Sequence, residues 1–230
     1  MKNVIKILIL ISSVAMIMTS CAKDEEADDS SSSSVSAGPG TTASGTVEGN
    51  SDLSGTFSMS WGGATPSGGC IDDSSAISAF NFPSETKGYK NQFIVTSTTT
   101  FTRSLSTYSD SSCSTITSYF NTMSKSATIG AEVTNLTVGS DPAKPTSADK
   151  ISYIDEKYAL KANTTAMVEH YANNFNITLT AGTELAVNES SPSTKYNIIA
   201  TGTMTGSSKT WLFFDAGRSA DNYTDWSSDL

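Results

Sequence analysis

The sequence predicts an all-β domain of about eight antiparallel strands with one short helix. Three observations predict it. Beyond residue 50, apolar residues recur at every second position in segment after segment, the mark of half-buried strands. Serine and threonine make up about a third of the chain from residue 21 onward, and they suit strands, turns and linkers better than helix interiors. Only residues 164–175 carry helical spacing. A single antiparallel sheet of this size closes into a barrel or splits into a sandwich, because open edges are a liability.

The chain divides into three spans: 1–20, 21–50 and 51–230. In the first, Lys2 and Lys6 precede an almost wholly apolar run from Ile7 to Met18, and small Thr19 and Ser20 precede Cys21. That is the build of a secretion signal, too short for a comfortable membrane span. Met18-Thr19-Ser20-Cys21 resembles a bacterial lipobox, with Met18 where leucine is usual. The resemblance implies cleavage before Cys21, diacylglycerol on its sulfur and acylation of the new amine by a chain such as palmitate. Several acyl chains anchor a protein stably where one is marginal. Ala22 stands where an aspartate would resemble an inner-membrane retention signal, so the expected location is the bacterial outer membrane. Asp24, Glu25 and Glu26 leave surface display open. The alternatives are an ordinary signal peptide with an incidental Cys21, or an uncleaved anchor.

Cleavage leaves 12 of the 14 basic side chains against 23 acidic ones, taking the formal net charge from -9 to -11. Such a chain lacks the basic footprint that nucleic acid requires, and it does not suit lying flat on anionic lipid. Residues 21–50 read as a disordered tether: five acids between Asp24 and Asp29, then consecutive serines, then SAGPGTTASGT. There is almost nothing apolar to bury.

The span 51–230 is long enough for one hydrophobic core. Gly55 to Trp61 alternates, with Phe57, Met59 and Trp61 on one side. GGATPSGG is a loop. Tyr89 to Thr102 is rich in strand formers, with Phe93, Val95 and Phe101 as inward positions, and Leu105 to Tyr108 is a further short strand. After a turn at Ser109 to Cys113, strands are expected over Ile116 to Met123, Ala127 to Val138 and Lys150 to Leu160. Thr164 or Thr165 caps the helix that runs to Phe175. Thr183 to Asn188, Lys195 to Ala200 and Thr210 to Phe214 complete the set.

Setting Cys21 aside leaves Cys70 and Cys113, an even number in an oxidising compartment, both beside Ser/Gly/Asp turns. A disulfide between them is expected; two free thiols or a metal pair are the alternatives. Zinc would want more ligands than the lone His170 supplies.

These marks together resemble small bacterial lipoproteins of the spirochaete, Leptospira-like kind. The positions are Gly55-Thr56-Phe57, Cys70, Tyr108-Ser109-Asp110-Ser111-Ser112-Cys113, Gly130, Lys150-Ile151-Ser152-Tyr153, Tyr196 to Ile199, and Trp211 to Phe214 with Gly217 and Arg218. The resemblance implies a lipocalin-like antiparallel barrel and no settled biochemical activity. Phe214 stands where a glycine often closes the last strand, and the further cysteine common after the helix is missing here.

No catalytic residue, metal site or cofactor is expected. His170 has Glu169 beside it, but neighbours on a helix do not face each other. Asp72-Asp73 and Asp155-Glu156 are adjacent pairs whose members point to opposite sides of a strand, so they read as solvated loop charges rather than a glycosidase pair. Trp61, Phe93, Phe101, Tyr153 and Trp211 either line a small apolar cavity or fill the core. Two functions follow. One is a lipid-anchored envelope protein that takes a small hydrophobic ligand into its barrel. The other is a structural or interaction lipoprotein with a filled barrel, which meets a protein partner through its surface.

Overall fold

A computed structural model describes residues 21–24, 43–59, 69–137, 145–203, 210–215 and 221. Among these residues, nine strands and two helices follow in the order β1 (Cys21–Asp24), β2 (Thr56–Met59), α1 (Ser74–Ala79), β3 (Gly88–Val95), β4 (Phe101–Tyr108), β5 (Ile116–Thr134), β6 (Ser147–Ala162), α2 (Thr165–Phe175), β7 (Glu184–Asn188), β8 (Thr194–Thr203) and β9 (Thr210–Phe214). All pairings are antiparallel. The sheet order is β5-β4-β3-β2-β1-β9-β8-β6-β7, and β5 also pairs with β6. The ring is therefore a nearly closed barrel, as the alternating pattern predicts. β6 is shared along its length: residues 149–154 pair with β8 and residues 157–161 with β7.

Several expected boundaries move, each for a local reason. The strand expected over Tyr89 to Thr102 is two strands, because Thr96 to Thr100 turns back on itself. Thr96 and Ser97 donate their N–H groups to the Thr100 carbonyl, and the hydroxyls of Thr96 and Ser97 each lie 2.7 Å from that of Thr100. Threonines are strand formers, but their hydroxyls also offer the backbone a local alternative. Conversely, the strands expected on either side of Ser124 to Ser126 are one strand of 19 residues. Its register against β6 shifts after Met123 and again between Lys125 and Thr128, and Ser126 takes a positive φ of 55°. These bulges absorb the break in alternation without ending the strand.

α1 is an addition to the single expected helix. Asp73 caps it, accepting from the N–H groups of Ser75 and Ala76 at 2.9 Å. α2 begins and ends as its sequence predicts. The Thr164 hydroxyl accepts from Met167 N–H at 3.2 Å, and Asn176 closes the helix in the left-handed conformation.

The interior divides into two clusters. The first holds Phe57, Tyr89, Phe93, Phe101, Tyr153, Ile199, Leu212 and Phe214 among others. The second lies under α2 and includes Phe120, Tyr158, Leu160, Met167 and Tyr171. Both mouths are covered. At one, Val47 and Leu53 are fully buried on a tight turn joined by Val47 N–H to the Leu53 carbonyl. That turn is tied to the β3–β4 loop by Ser44 N–H to Val95 O and Glu48 N–H to Thr98 O, both 2.9 Å. At the other, α1 presents Ala76, followed by Phe80 and Phe82 against Tyr89.

Of the expected tether, residues 21–24 form β1 and residues 43–50 belong to the turn that covers the first mouth; residues 25–42 lie outside the described residues.

Candidate functional site

The centre of the barrel is where alternation converges. Phe93 on β3 and Phe101 on β4 stack with centroids 4.5 Å apart, and Phe101 meets Tyr153 edge-on at 5.1 Å. Phe214 touches all three rings, at 5.2 Å from Phe93 and 5.9 Å from each of the others. These four rings pack on one another. Trp61 lies outside the described residues. Trp211 is elsewhere: Leu212 and Phe214 take the interior face of β9, so Trp211 and Phe213 take the outer one. Trp211 lies over Gly202, where an added Cβ would sit 2.4 Å from the indole ring. Its outer neighbours include Ile198, Ala200 and Phe213.

Between the two interior clusters runs a polar belt. Arg103 lies two residues beyond Phe101 on β4 and so shares its face. Its Nη2 donates to Asp155 Oδ1 at 2.7 Å, and Ser124 Oγ donates to the same oxygen at 2.7 Å. The register shift after Met123 sets Ser124 opposite Asp155. The guanidinium also lies 5.5 Å from the centroid of Tyr153, a cation–π geometry. Arg103 and Asp155 are 7% and 4% exposed, which makes this a buried ion pair rather than the solvated charge expected for Asp155. Arg103 Nε is buried without a hydrogen-bond partner.

Burial alone would lower the Arg103 pKa. The Asp155 charge and hydrogen bond, together with the neighbouring Tyr153 and Tyr158, outweigh it, and the guanidinium stays protonated. Burial raises the hydroxyls of Tyr153 and Tyr158, the latter with help from Asp155. It pushes Tyr171 up to about 12. None of these groups is poised to exchange a proton near neutrality.

His170 is a buried position of α2. It is 9% exposed and meets Phe82, Tyr171 and Phe175 at centroid distances of 6.0, 5.6 and 5.7 Å. The Asn174 amide lies 3.1 Å from its Nδ1. Burial lowers its pKa. Among the described residues it has no carboxylate or hydroxyl partner, and it packs against aromatic rings. Among the described residues, no group of three or more His, Cys, Asp or Glu could hold a metal ion.

Cys70 and Cys113 form the disulfide, with Cα atoms 5.7 Å apart across 43 positions. The Tyr-Ser-Asp-x-x-Cys motif has a structural purpose here. The Asp110 carboxylate accepts from the N–H groups of Ser112, Ser114 and Thr115 and from the hydroxyls of Ser112 and Ser114. Led by the Ser112 hydroxyl, these bonds hold its pKa well below the usual carboxylate range. One side chain thus organises the loop that delivers Cys113 to Cys70.

Among the described residues, no helix is long and apolar enough to cross a membrane. Compared with known proteins, the chain matches no protein-family model and no curated protein.

Proposed function

We propose that this chain is an outer-membrane lipoprotein, anchored through acyl chains on Cys21, that works as a structural or interaction module rather than as a carrier or an enzyme. The observation that carries the reading is the mutual packing of Phe93, Phe101, Tyr153 and Phe214 at the centre of the barrel, which favours a filled core over a ligand cavity. The covered mouths agree with it. So do the polar belt's high tyrosine pKa values and the single buried histidine, which offer no acid–base pair.

A second reading has one observation in its favour. Arg103 Nε has no partner, and a small amphipathic ligand with an acceptor group would supply one. Native mass spectrometry of the protein extracted from its own envelope separates the two. The interaction module is expected to carry the mass of the acyl modifications on Cys21, on sulfur and amine, and no stoichiometric small molecule. A stoichiometric small molecule that survives extraction and is lost on unfolding would overturn it in favour of the carrier. An unmodified Cys21 would remove the anchor from either.

A further inference from the structure

The ring of strands has one unusual member. β1 pairs with β2 through Cys21↔Met59, Ala22↔Ser58, Lys23↔Phe57 and Asp24↔Thr56, and with β9 through Cys21↔Leu212 and Ala22↔Trp211. Among the described residues, β2 and β9 do not pair with each other; this four-residue strand joins them. It begins at the cysteine proposed to carry the acyl chains. One residue is therefore asked to be part of the barrel wall and to sit at the surface of a bilayer.

The wall position is not at an end of the barrel. Ser58 pairs with Gln92, and β3 continues beyond Gln92 to Gly88. A short strand held by a few hydrogen bonds competes poorly with the burial of dozens of methylenes. Residues 25–42 supply 18 positions of chain between β1 and the first mouth, a reach of about 60 Å when extended. Nothing in the chain length keeps β1 in the wall once its first residue enters lipid.

We propose that the gap between β2 and β9 is a strand-acceptor slot. Cys21–Asp24 fills it in the unacylated chain. In the acylated protein it is open to an extended segment of a second polypeptide with apolar residues at alternate positions. This rests on the reading of Cys21 as the acylated residue and names the surface and the partner that reading lacks. The register specifies the partner. Positions 21 and 23 lie opposite Leu212 and Phe57, which are 1% and 0% exposed. Residues directly opposite share a face of the sheet, so an incoming strand with apolar residues at both positions matches this interior. The resident strand sets a lysine at one of them. It is a serviceable filler and a replaceable one. Pairing by strand addition draws affinity from the backbone and specificity from alternate side chains.

The test is amide hydrogen exchange on β2 (Thr56–Met59) and β9 (Thr210–Phe214). It compares the acylated protein in phosphatidylethanolamine vesicles with the unacylated Cys21→Ser chain, acylation being established first by intact mass. The expected result is exchange about ten-fold or more faster in those two strands of the acylated protein, with β4 and β5 unchanged. A synthetic decapeptide of residues 21–30 carrying Cys21→Val and Lys23→Val should restore protection, and the unaltered decapeptide should do so less well. Equal protection in the two proteins means that β1 stays in the wall, and it overturns the proposal. So does a peptide without effect on an exposed slot. If intact mass finds no acylation, the anchoring reading fails by itself. The slot then stands or falls on a chain lacking residues 21–24: faster exchange in β2 and β9, reversed by the peptide, supports it, and unchanged exchange overturns it.

Discussion

Arg103 Nη2 lies 2.7 Å from Asp155 Oδ1 inside the barrel, beside the aromatic cluster of Phe93, Phe101, Tyr153 and Phe214. A buried pair of this kind is costly to break and cheap to replace. Truncating one partner leaves the other charged, desolvated and alone. Arg103→Met and Asp155→Leu are each expected to cost about 3–5 kcal/mol in urea unfolding, while the double variant recovers most of that loss. Additive losses in the double variant would mean that the two side chains are not coupled.

Phe101 is the ring on which the central cluster turns, since it touches Phe93, Tyr153 and Phe214. Phe101→Ala is expected to destabilise by about 3–5 kcal/mol, the range for deleting a fully buried ring and leaving a void. Phe101→Leu should cost less than half of that. A loss under about 1 kcal/mol for the alanine would show a loosely filled centre.

Gly88 is required by the disulfide. A Cβ there would stand 2.9 Å from Cys113 Sγ, 3.1 Å from Cys70 Sγ and 3.0 Å from the Asp110 carbonyl oxygen. Gly88→Ala is expected to destabilise by about 1–3 kcal/mol through overpacking. Removing the bridge with Cys70→Ala and Cys113→Ala costs about 2–4 kcal/mol by itself. In that background the further effect of Gly88→Ala should shrink, because two of its three close contacts are gone. Thermal melts of the four proteins check this, and an undiminished glycine effect would place the clash on the Asp110 carbonyl alone.

Stability should fall on mild acidification, with His170 as the cause. Its folded pKa is lowered by burial from 6.5. As pH drops below about 6.5 the unfolded chain takes up a proton that the folded chain does not, so unfolding becomes easier until the folded pKa is reached. The hydrogen-bonded carboxylates of Asp73 and Asp110 act in a lower window. Their pKa values are depressed, led by the Ser75 and Ser112 hydroxyls, and their contribution is present above 3.8 and lost as pH falls through the folded values. Asp149, raised chiefly by burial, works in the opposite direction. His170→Leu should flatten the dependence of the urea midpoint between about pH 5 and 6.5 and leave the steeper acid limb in place. An unchanged slope would assign the effect to other groups.

Much of the barrel is legible in the sequence, because alternation is a direct report of which face of a strand is buried. Phe93, Phe101, Tyr153 and the last strand are all visible that way. The same rule, followed further, also exposes Arg103 and Asp155. Phe101-x-Arg103-x-Leu105 and Ile151-x-Tyr153-x-Asp155 put each charge on an apolar face. A charge in an alternating strand reads as solvated until its partner is known, and the partners lie 52 positions apart. Trp211 shows the limit from the other side. Thr-Trp-Leu-Phe-Phe is apolar at four adjoining positions, so either parity fits, and the space above Gly202 decides which ring goes outside. α1, at six residues, is too short for a helical period to show; its signal is the cap at Asp73.

The turn that covers the first mouth also fixes how the domain bears mechanical load. With β1 released from the wall, as proposed, a pull from the N-terminal side enters the barrel near Ser44, whose N–H is bonded to the Val95 carbonyl and whose hydroxyl is bonded to the Thr96 carbonyl. Behind it, Val47 is sunk in the interior and Glu48 is bonded to Thr98. Tension therefore meets this small knot of backbone bonds and one buried valine before it reaches β2. Such a pull would spend itself on lifting a plug, with the walls of the barrel still standing behind it.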